Sequence, residues 1–277
     1  MALYINTNVS SLEAQRNLSA NSISQSTTFQ RLSSGLRINT AADDAAGLAI
    51  AERMNAAVRS YGMAERNTNN AVSMAQTAEG AMGQVSNILQ RLREITIQAA
   101  NGDVTATDRG YLDQEFTAMK EEITRIFDNT SFNGKQLLGG AATTIDFQVG
   151  IDNTTSDRLQ MAFGGMDLTS LGINASSVSG ATAANAQAAI TAIDGAITAT
   201  NTKRADFGAS MNRLQVTVAN LQSMKTNLSA AHGRIRDVDV AEESSKMARQ
   251  QVLMQAGVSV LSQANQSPQL AMKLLQG

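Results

Sequence analysis

The chain has 277 residues and a formal net charge of −2, with no cysteine, no tryptophan, one proline and one histidine. This excludes disulfides, thiolate metal sites, cysteine nucleophiles and, with His232 alone, histidine triads and His-rich metal sites. A near-neutral charge removes the electrostatic case for nucleic acid. The shortage of aromatics favours helices built from Leu, Ile, Val, Met and Ala over a β-sandwich.

The start, Met1-Ala-Leu-Tyr-Ile-Asn-Thr-Asn8, has neither a basic n-region nor an apolar h-region, which predicts no Sec-type signal. No apolar run approaches the roughly 18–20 residues needed to cross a membrane, so no membrane insertion is expected. Residues 1–42 carry only Glu13, Arg16, Arg31 and Arg37 as charges, and residues 244–277 only Lys246, Arg249 and Lys273. A solvated helix usually shows a charged outer face. Helical ends made of Ala, Ser, Asn, Gln, Leu and Val are therefore expected to be covered, most simply by other copies of the same chain.

The strongest periodic signal runs from Met54 to Ala99. Steps of three and four visit Met54, Ala57, Tyr61, Ala64, Thr68, Ala71, Ala75, Ala78, Met82, Val85, Leu89, Leu92, Thr96 and Ala99, apolar everywhere but Thr68 and Thr96. This heptad seam predicts a helical rod about 70 Å long, packed closely through its alanines. Asn39-Thr40-Ala-Ala-Asp43 is expected to open it as a capping box, with Asp43 and Asp44 at the positive helix end, and Asn101-Gly102 to stop it. A second helix should start at Thr107 or Asp108, carry the stripe Leu112, Phe116, Met119, Ile123 and Ile126, and break at Asn129–Gly134. Thr144–Val149 and Arg158–Phe163 alternate as two strands, with Gly150–Asp157 as their turn. Some forty residues there are too few for a separate core, so the hairpin should lie on helices.

A second rod follows in one heptad frame: Ile190, Ile193, Ile197, Phe207, Met211, Leu214, Val218, Leu221 and Leu228. Thr200, Arg204 and Lys225 interrupt it, and Gly233 is expected to end it. After Arg234–Asp239 a last helix offers Met247, Met254, Leu261, Ala264, Ala271 and Leu275, with Pro268 expected to kink it or end it early. The fold class is mainly α: long antiparallel helical rods and a terminal coiled coil, with a small β-hairpin near residues 140–165. The chain should go out and return, bringing its two ends together.

Chemistry is sparse. His232 reads as a polar helix terminus, Asp43-Asp44 and Glu121-Glu122 as helix-start and surface charges, and the Asn8, Asn17 and Asn153 glycosylation tripeptides as chance matches in an Asn/Ser/Thr-rich chain. There is no Walker loop, Rossmann fingerprint, His-Glu-x-x-His or EF-hand loop. No enzyme, cofactor or metal site is expected.

Several segments carry a resemblance. Met1–Val9, Gln30-Arg-Leu-Ser-Ser-Gly-Leu-Arg-Ile-Asn39, Ala42-Asp-Asp-Ala-Ala-Gly-Leu-Ala-Ile50, Leu89-Gln-Arg-Leu-Arg-Glu94, Phe132-Asn-Gly-Lys135, Gly233–Asp239 and Gln263-Ala-Asn-Gln266 resemble bacterial flagellin. They occur in the family's order and span all but roughly residues 140–185. The resemblance implies a subunit of the flagellar filament used for motility. Residues 1–42 and 235–277 would form the inner layer and 43–234 the outer shell, with 140–185 as a shortened variable region. Polymerisation contacts are then expected at Val9, Leu12, Ile23, Leu32, Leu36, Met254, Leu261, Ala264 and Leu275.

The resemblance also implies secretion through the flagellar channel in an unfolded state, folding on incorporation at the tip, and an extracellular location in the filament. The implied partners are the chain itself as a helical homopolymer, a filament cap protein, hook–filament junction proteins and an export chaperone. An animal innate immune receptor is a further implied partner, at Gln90, Arg91, Arg93 and Glu94, at Ile95 where leucine is common, and at Glu115. Intersubunit packing and surface ion pairing account for the same residues without a receptor. The alternatives weighed are a hook–filament junction protein, a chemoreceptor-like signalling coiled coil, which would keep heptads through its bend, and an amphipathic granule coat, which would need broad Leu/Phe faces.

Overall fold

A computed structural model describes residues 7–275, with side chains through Gln266. In chain order it has α1 (Val9–Ser34), α2 (Ala45–Ala99), α3 (Ala106–Asn129), β1 (Ser131–Phe132), β2 (Lys135–Gln136), β3 (Thr143–Gln148), a 3-10 turn (Thr155–Asp157), β4 (Arg158–Phe163), α4 (Ala184–Arg236) and α5 (Val240–Leu275). The chain divides into two compact units, Met1–Ala56 with Asn227–Gly277, and Ala57–Thr226.

The larger unit holds the main core. On α2 the heptad seam is buried from Ala64 to Ala99, through Ala71, Ala75, Ala78, Met82, Val85, Leu89 and Leu92. The two polar seam residues are buried as well. Thr68 Oγ1 donates to the Ala64 carbonyl at 2.7 Å and Thr96 Oγ1 to the Leu92 carbonyl at 2.6 Å, so each hydroxyl is satisfied inside its own helix. Against this seam α4 buries Ile193, Ala196, Thr200, Phe207 and Leu214, and α3 buries Phe116, Ile123 and Phe127.

The charged interruptions of the second rod have partners on the first. Arg204 pairs with Glu79 at 2.7 Å and Lys225 with Glu65 at 3.2 Å. A hydrogen bond from Gln222, together with the Lys225 ammonium, holds the Glu65 carboxyl below its ordinary range. A charge is tolerated in a heptad position here because an opposite charge waits on the facing helix.

The start of α3 lies earlier than the sequence suggests. Thr105 is its N-cap, accepting from the Asp108 amide while Asp108 accepts from Thr105, a reciprocal capping box. The expected caps Thr107 and Asp108 lie inside the helix, because the pair that satisfies both orphan donors sits three residues apart. Arg109 is buried and donates to the carbonyls of Ala99 at 2.8 Å and Asn101 at 3.1 Å, placing a cation at the negative end of α2.

α3 ends at Asn129, where the sequence predicts a break, and a hairpin with a two-residue turn follows. β1 and β2 pair antiparallel around Asn133 (φ 49°) and Gly134 (φ 77°), the backbone a tight Asn-Gly turn requires. β3 and β4 then form the predicted hairpin, with Ile145 opposite Met161 and Phe147 opposite Leu159. Along β4, Leu159, Met161 and Phe163 are buried and the alternate residues exposed. The Phe163 ring lies 5.6 Å from that of Phe207 on α4, which anchors a hairpin that would be marginal alone. The loop that follows is strapped to α3: Asp113 accepts from the Val178 amide and Ser177 Oγ, and Lys120 donates to the carbonyls of Asn174 and Ser176. Burial pushes the Lys120 ammonium below its ordinary pKa.

In the smaller unit α1 packs on α5. α1 ends in a left-handed cap at Gly35 (φ 70°), whose amide reaches the Arg31 carbonyl at 2.9 Å. Leu36 and Asp237 then form an antiparallel bridge, flanked by Arg37 N donating to Arg236 O and Val238 N to Gly35 O. The cap of α2 is Asp44, whose Oδ1 accepts from the Gly47 amide at 2.9 Å. Asp43 instead closes the preceding turn on Asn39 and Thr40, so the anticipated capping box is displaced by one residue. Gly233 does not end α4. The helical bond from Asp237 N to Gly233 O persists, and the helix runs on to Arg236. Asp239 caps α5 by accepting from Ala241 and Glu242, and α5 stays helical past Pro268 to Leu275.

Candidate self-assembly surface

The contact between α1 and α5 is small-residue packing stitched by polar bonds. Asn8 Nδ2 donates to the Ala264 carbonyl at 2.8 Å, and Ser11 Oγ to Asn265 Oδ1 at 2.7 Å. Ala14 and Thr28 are buried between the helices. Gly257 faces Leu18 so closely that a Cβ there would lie 3.0 Å from Leu18 Cδ1. Met254, Gly257, Leu261 and Ala264 are all half-buried and follow helical spacing, so they form the line of α5 that meets α1. At the far end Arg31 lies 3.8 Å from the buried Glu243 and 3.7 Å from Asp43, and Lys246 reaches Glu243 at 3.2 Å.

The other faces of the pair point large apolar side chains at water. Ile23 and Phe29 on α1 are each 67% exposed, and Val9 and Leu12 are more than half exposed. On α5 the same holds for Val240, Val252, Val258 and Val260. Leu18, Leu253 and Val260 contribute to an open groove of about 470 Å³ along the pair. Scattered apolar residues on a surface are ordinary, but here several large ones stand exposed on two packed, charge-poor helices.

The sequence-predicted contact residues fall into two classes. Val9, Leu12 and Ile23 face outward, where another chain can reach them. Leu32, Leu36, Met254, Leu261 and Ala264 are half-buried, the last three along the line that meets α1 and Leu36 held in its backbone bridge. The side chain of Leu275 lies outside the described residues, as do residues 1–6 of the first motif. Phe29, Val252 and Val258 are exposed as well and escaped the sequence reading. Their size in a charge-poor helix is the signal that could have found them.

The second predicted patch is only partly a surface. Arg91 binds Glu94 at 2.9 Å and Glu115 at 3.0 Å, and Gln90 stands exposed beside them. Arg93 turns toward α4 and pairs with Asp194 at 2.6 Å, which holds the Asp194 carboxyl below its ordinary range. Ile95 is 1% exposed, a member of the core and not of that face.

Residues 5–143 match the family model of the bacterial flagellin N-terminal helical region, and residues 190–275 that of the bacterial flagellin C-terminal helical region. The chain belongs to the bacterial flagellin family. It is 41% identical over 273 residues to a flagellin of Halalkalibacterium halodurans, covering 99% of this chain and 100% of that one. It is 32% identical to flagellin C of Vibrio cholerae in an alignment of 376 positions covering 99% of this chain and 100% of the relative, which is therefore longer. The crystal structure of Bacillus cereus flagellin is 37% identical, covers 60% of this chain and 94% of its own, and superposes with a TM-score of 0.49.

As a flagellin, the chain is a structural protein and a subunit of the flagellar filament, not an enzyme and not a signalling coiled coil. Between the two matched regions this short flagellin has only the β3–β4 hairpin and the strapped loop, with no large outer domain. Among the described residues no helix is long and apolar enough to cross a membrane.

Proposed function

We propose that α1 and α5 form the inner layer of the filament, about residues 1–42 and 235–277, and that residues 43–234 form the surrounding shell. The observation that carries this reading is the exposure of Val9, Leu12 and Ile23 along one side of a helix already packed on α5, with Phe29 exposed as well. An inner tube needs small side chains where helices approach closely and apolar ones where copies meet, and the pair supplies both.

Before assembly those side chains lack partners. Ordering each residue costs about 1–2 kcal/mol, which so moderate an apolarity offsets only when neighbours cover it. The ends therefore order on incorporation, and while unordered they suit passage through the flagellar channel to an extracellular site of assembly. On this reading an export chaperone covers the C-terminal helix beforehand, a cap protein guides insertion at the tip, and hook–filament junction proteins meet the same inner layer at the filament base. The exposed group Gln90, Arg91, Glu94 and Glu115 is the part of this chain open to an animal innate immune receptor. Ile95 would support it from the core and Arg93 from its pairing with α4.

The deciding experiment is Leu261→Asp. A carboxylate on the line between α1 and α5 should abolish filaments in negative-stain microscopy while the circular dichroism melt of residues 57–226 is retained. Normal filaments from this variant would sink the inner-layer assignment.

A further inference from the structure

The sequence holds two Asn-Gly pairs, Asn101-Gly102 between α2 and α3 and Asn133-Gly134 between β1 and β2, and both pairs are exposed. In this dipeptide the glycine amide nitrogen can attack the asparagine side-chain carbon with no Cβ in its path. The structure treats the pairs differently. Asn133 is held at φ 49° in a tight turn, with Phe132 paired to Lys135 across it. Swinging the Gly134 nitrogen onto the side chain would open that hairpin. At the other pair the Gly102 amide donates to Asn101 Oδ1 at 3.0 Å and, among the described residues, to no backbone carbonyl. The carbon bonded to that oxygen is thus already held beside the nitrogen that would attack it, and groups so held need little further ordering to react. A Cβ at Gly102 would meet nothing within 4 Å, which leaves the approach open to water.

A buried cation acts on the same peptide. Arg109 is 4% exposed, and its Nη2 donates to the Asn101 carbonyl at 3.1 Å. Its Nε donates to the Ala99 carbonyl at 2.8 Å, which holds the guanidinium in that position. The Asn101 carbonyl and the Gly102 nitrogen belong to one amide. That nitrogen attacks only after losing its proton, and the negative charge then spreads onto the carbonyl oxygen. A guanidinium bonded to the oxygen stabilises the anion and so acidifies the Gly102 N–H. The carboxylates nearest in sequence, Asp103 and Asp108, are exposed, and Asp108 is engaged by Thr105.

We propose that Asn101 is a self-modification site, at which the chain converts its own side-chain amide to a carboxylate with water as the co-reactant. The Gly102 nitrogen gives its proton to solvent hydroxide and bonds to Asn101 Cγ, and the side-chain nitrogen leaves as ammonia, closing a cyclic imide. Water opens the imide at either carbonyl. One opening gives aspartate, and the other gives isoaspartate, in which the main chain runs through the former side chain. No electrons are exchanged: asparagine and water become the acid and ammonia. Either product sets a new carboxylate near Arg109, and isoaspartate adds a methylene to the turn between α2 and α3. None of these residues lies on α1 or α5, so the chemistry is independent of the inner-layer reading.

Trypsin places the two pairs on separate peptides, Glu94–Arg109 and Ile126–Lys135, so mass spectrometry can follow both in one sample of the full chain. In the folded chain at mildly alkaline pH, amide loss at Asn101 should outpace that at Asn133 by roughly tenfold or more. It should also exceed its own rate in urea, where the two pairs should react alike. Equal rates at the two pairs in the folded chain, or a faster reaction of Asn101 in urea, overturn the proposal without any variant. Arg109→Lys keeps a cation but loses the planar fork, so it should slow amide loss at Asn101 roughly tenfold and leave Asn133 unchanged. Hydrogen exchange at the Gly102 amide separates activation from mere support of the loop. Base-catalysed exchange should slow in Arg109→Lys if the guanidinium acidifies that N–H, whereas a loosened loop would exchange faster. Faster exchange, or an unchanged rate of amide loss, overturns the part assigned to Arg109.

Discussion

Arg204 on α4 directs Nε and Nη2 at one carboxylate oxygen of Glu79 on α2, at 3.1 and 2.7 Å. The two residues stand 125 apart in sequence, and both are about a third exposed. With Lys225 and Glu65 they form a second rung across the same antiparallel pair, so the rungs fix which turn of α4 faces which turn of α2. Their value is more in register than in stability, since half-exposed ion pairs contribute little.

A double-mutant cycle on Glu79→Ala and Arg204→Ala should therefore give a coupling of only about 0.5–1 kcal/mol in urea unfolding. A coupling above about 3 kcal/mol would mean that the pair acts as a buried one.

Gly164 allows less tolerance. Its φ is +74°, and a Cβ there would lie 2.5 Å from the Ala141 carbonyl oxygen. Gly164→Ala should destabilise the larger unit by about 1–3 kcal/mol through left-handed strain and the backbone clash. A thermal melt within a degree or so of the parent would contradict that geometry.

Phe29 separates assembly from folding. Phe29→Asp should leave the melt of residues 57–226 unchanged and sharply reduce sedimentable filament, because its ring is exposed in the single chain. Equal losses of melt and filament would instead make Phe29 part of the monomer's own packing.

Protease protection should follow assembly. In the monomer α1 and α5 should be trimmed, and in the filament spared, if covering by neighbours is what orders them. Identical digestion patterns in the two states would rule out folding on incorporation.

Acid sensitivity has a defined direction. Hydrogen bonds and charges from Arg93 hold Asp194 below its ordinary pKa, those from Gln222 and Lys225 do so for Glu65, and bonds from Ser170 for Asp167. A carboxylate lowered in the folded state contributes stability that is fully present above its unfolded pKa. That contribution is lost as pH falls through the folded value. Stability should thus be flat from neutral pH down to about pH 4–5 and decline below it. Asp194→Asn should flatten the decline, as read from melting temperatures across pH. An unchanged acid limb would show that Asp194 contributes nothing to it.

Much of this fold is legible in the sequence because burial imposes a period. The α2 seam from Ala64 to Ala99 and the alternation of Leu159, Met161 and Phe163 are both read from spacing alone. What spacing does not reveal is where a polar group finds its partner. Thr105 caps α3 because Asp108 answers it, and Gly233 stays helical because the chain turns only at the Leu36–Asp237 bridge. The strap of Asp113 and Lys120 over residues 174–178 has no periodic trace. At the proposed association surface, charge poverty points to α1 and α5, but facing direction separates Ile23 from Leu261, and that depends on which side α1 presents to α5. Ile95 is turned into the core beside the exposed Glu94, since one step along a helix turns a side chain by roughly 100°.

The bridge between Leu36 and Asp237 bears on the order of events in folding. Arg37 reaches Ile235 across 198 residues, and Asn8 reaches Ala264 across 256. Contacts so remote must close nearly the whole chain, whereas α3 and the β-hairpin form from neighbours. Loop closure on that scale is slow until the intervening chain has compacted. Clasp and helix pair are thus the last parts of the topology to close, leaving a kinetic interval in which the core is formed while both ends still await a partner.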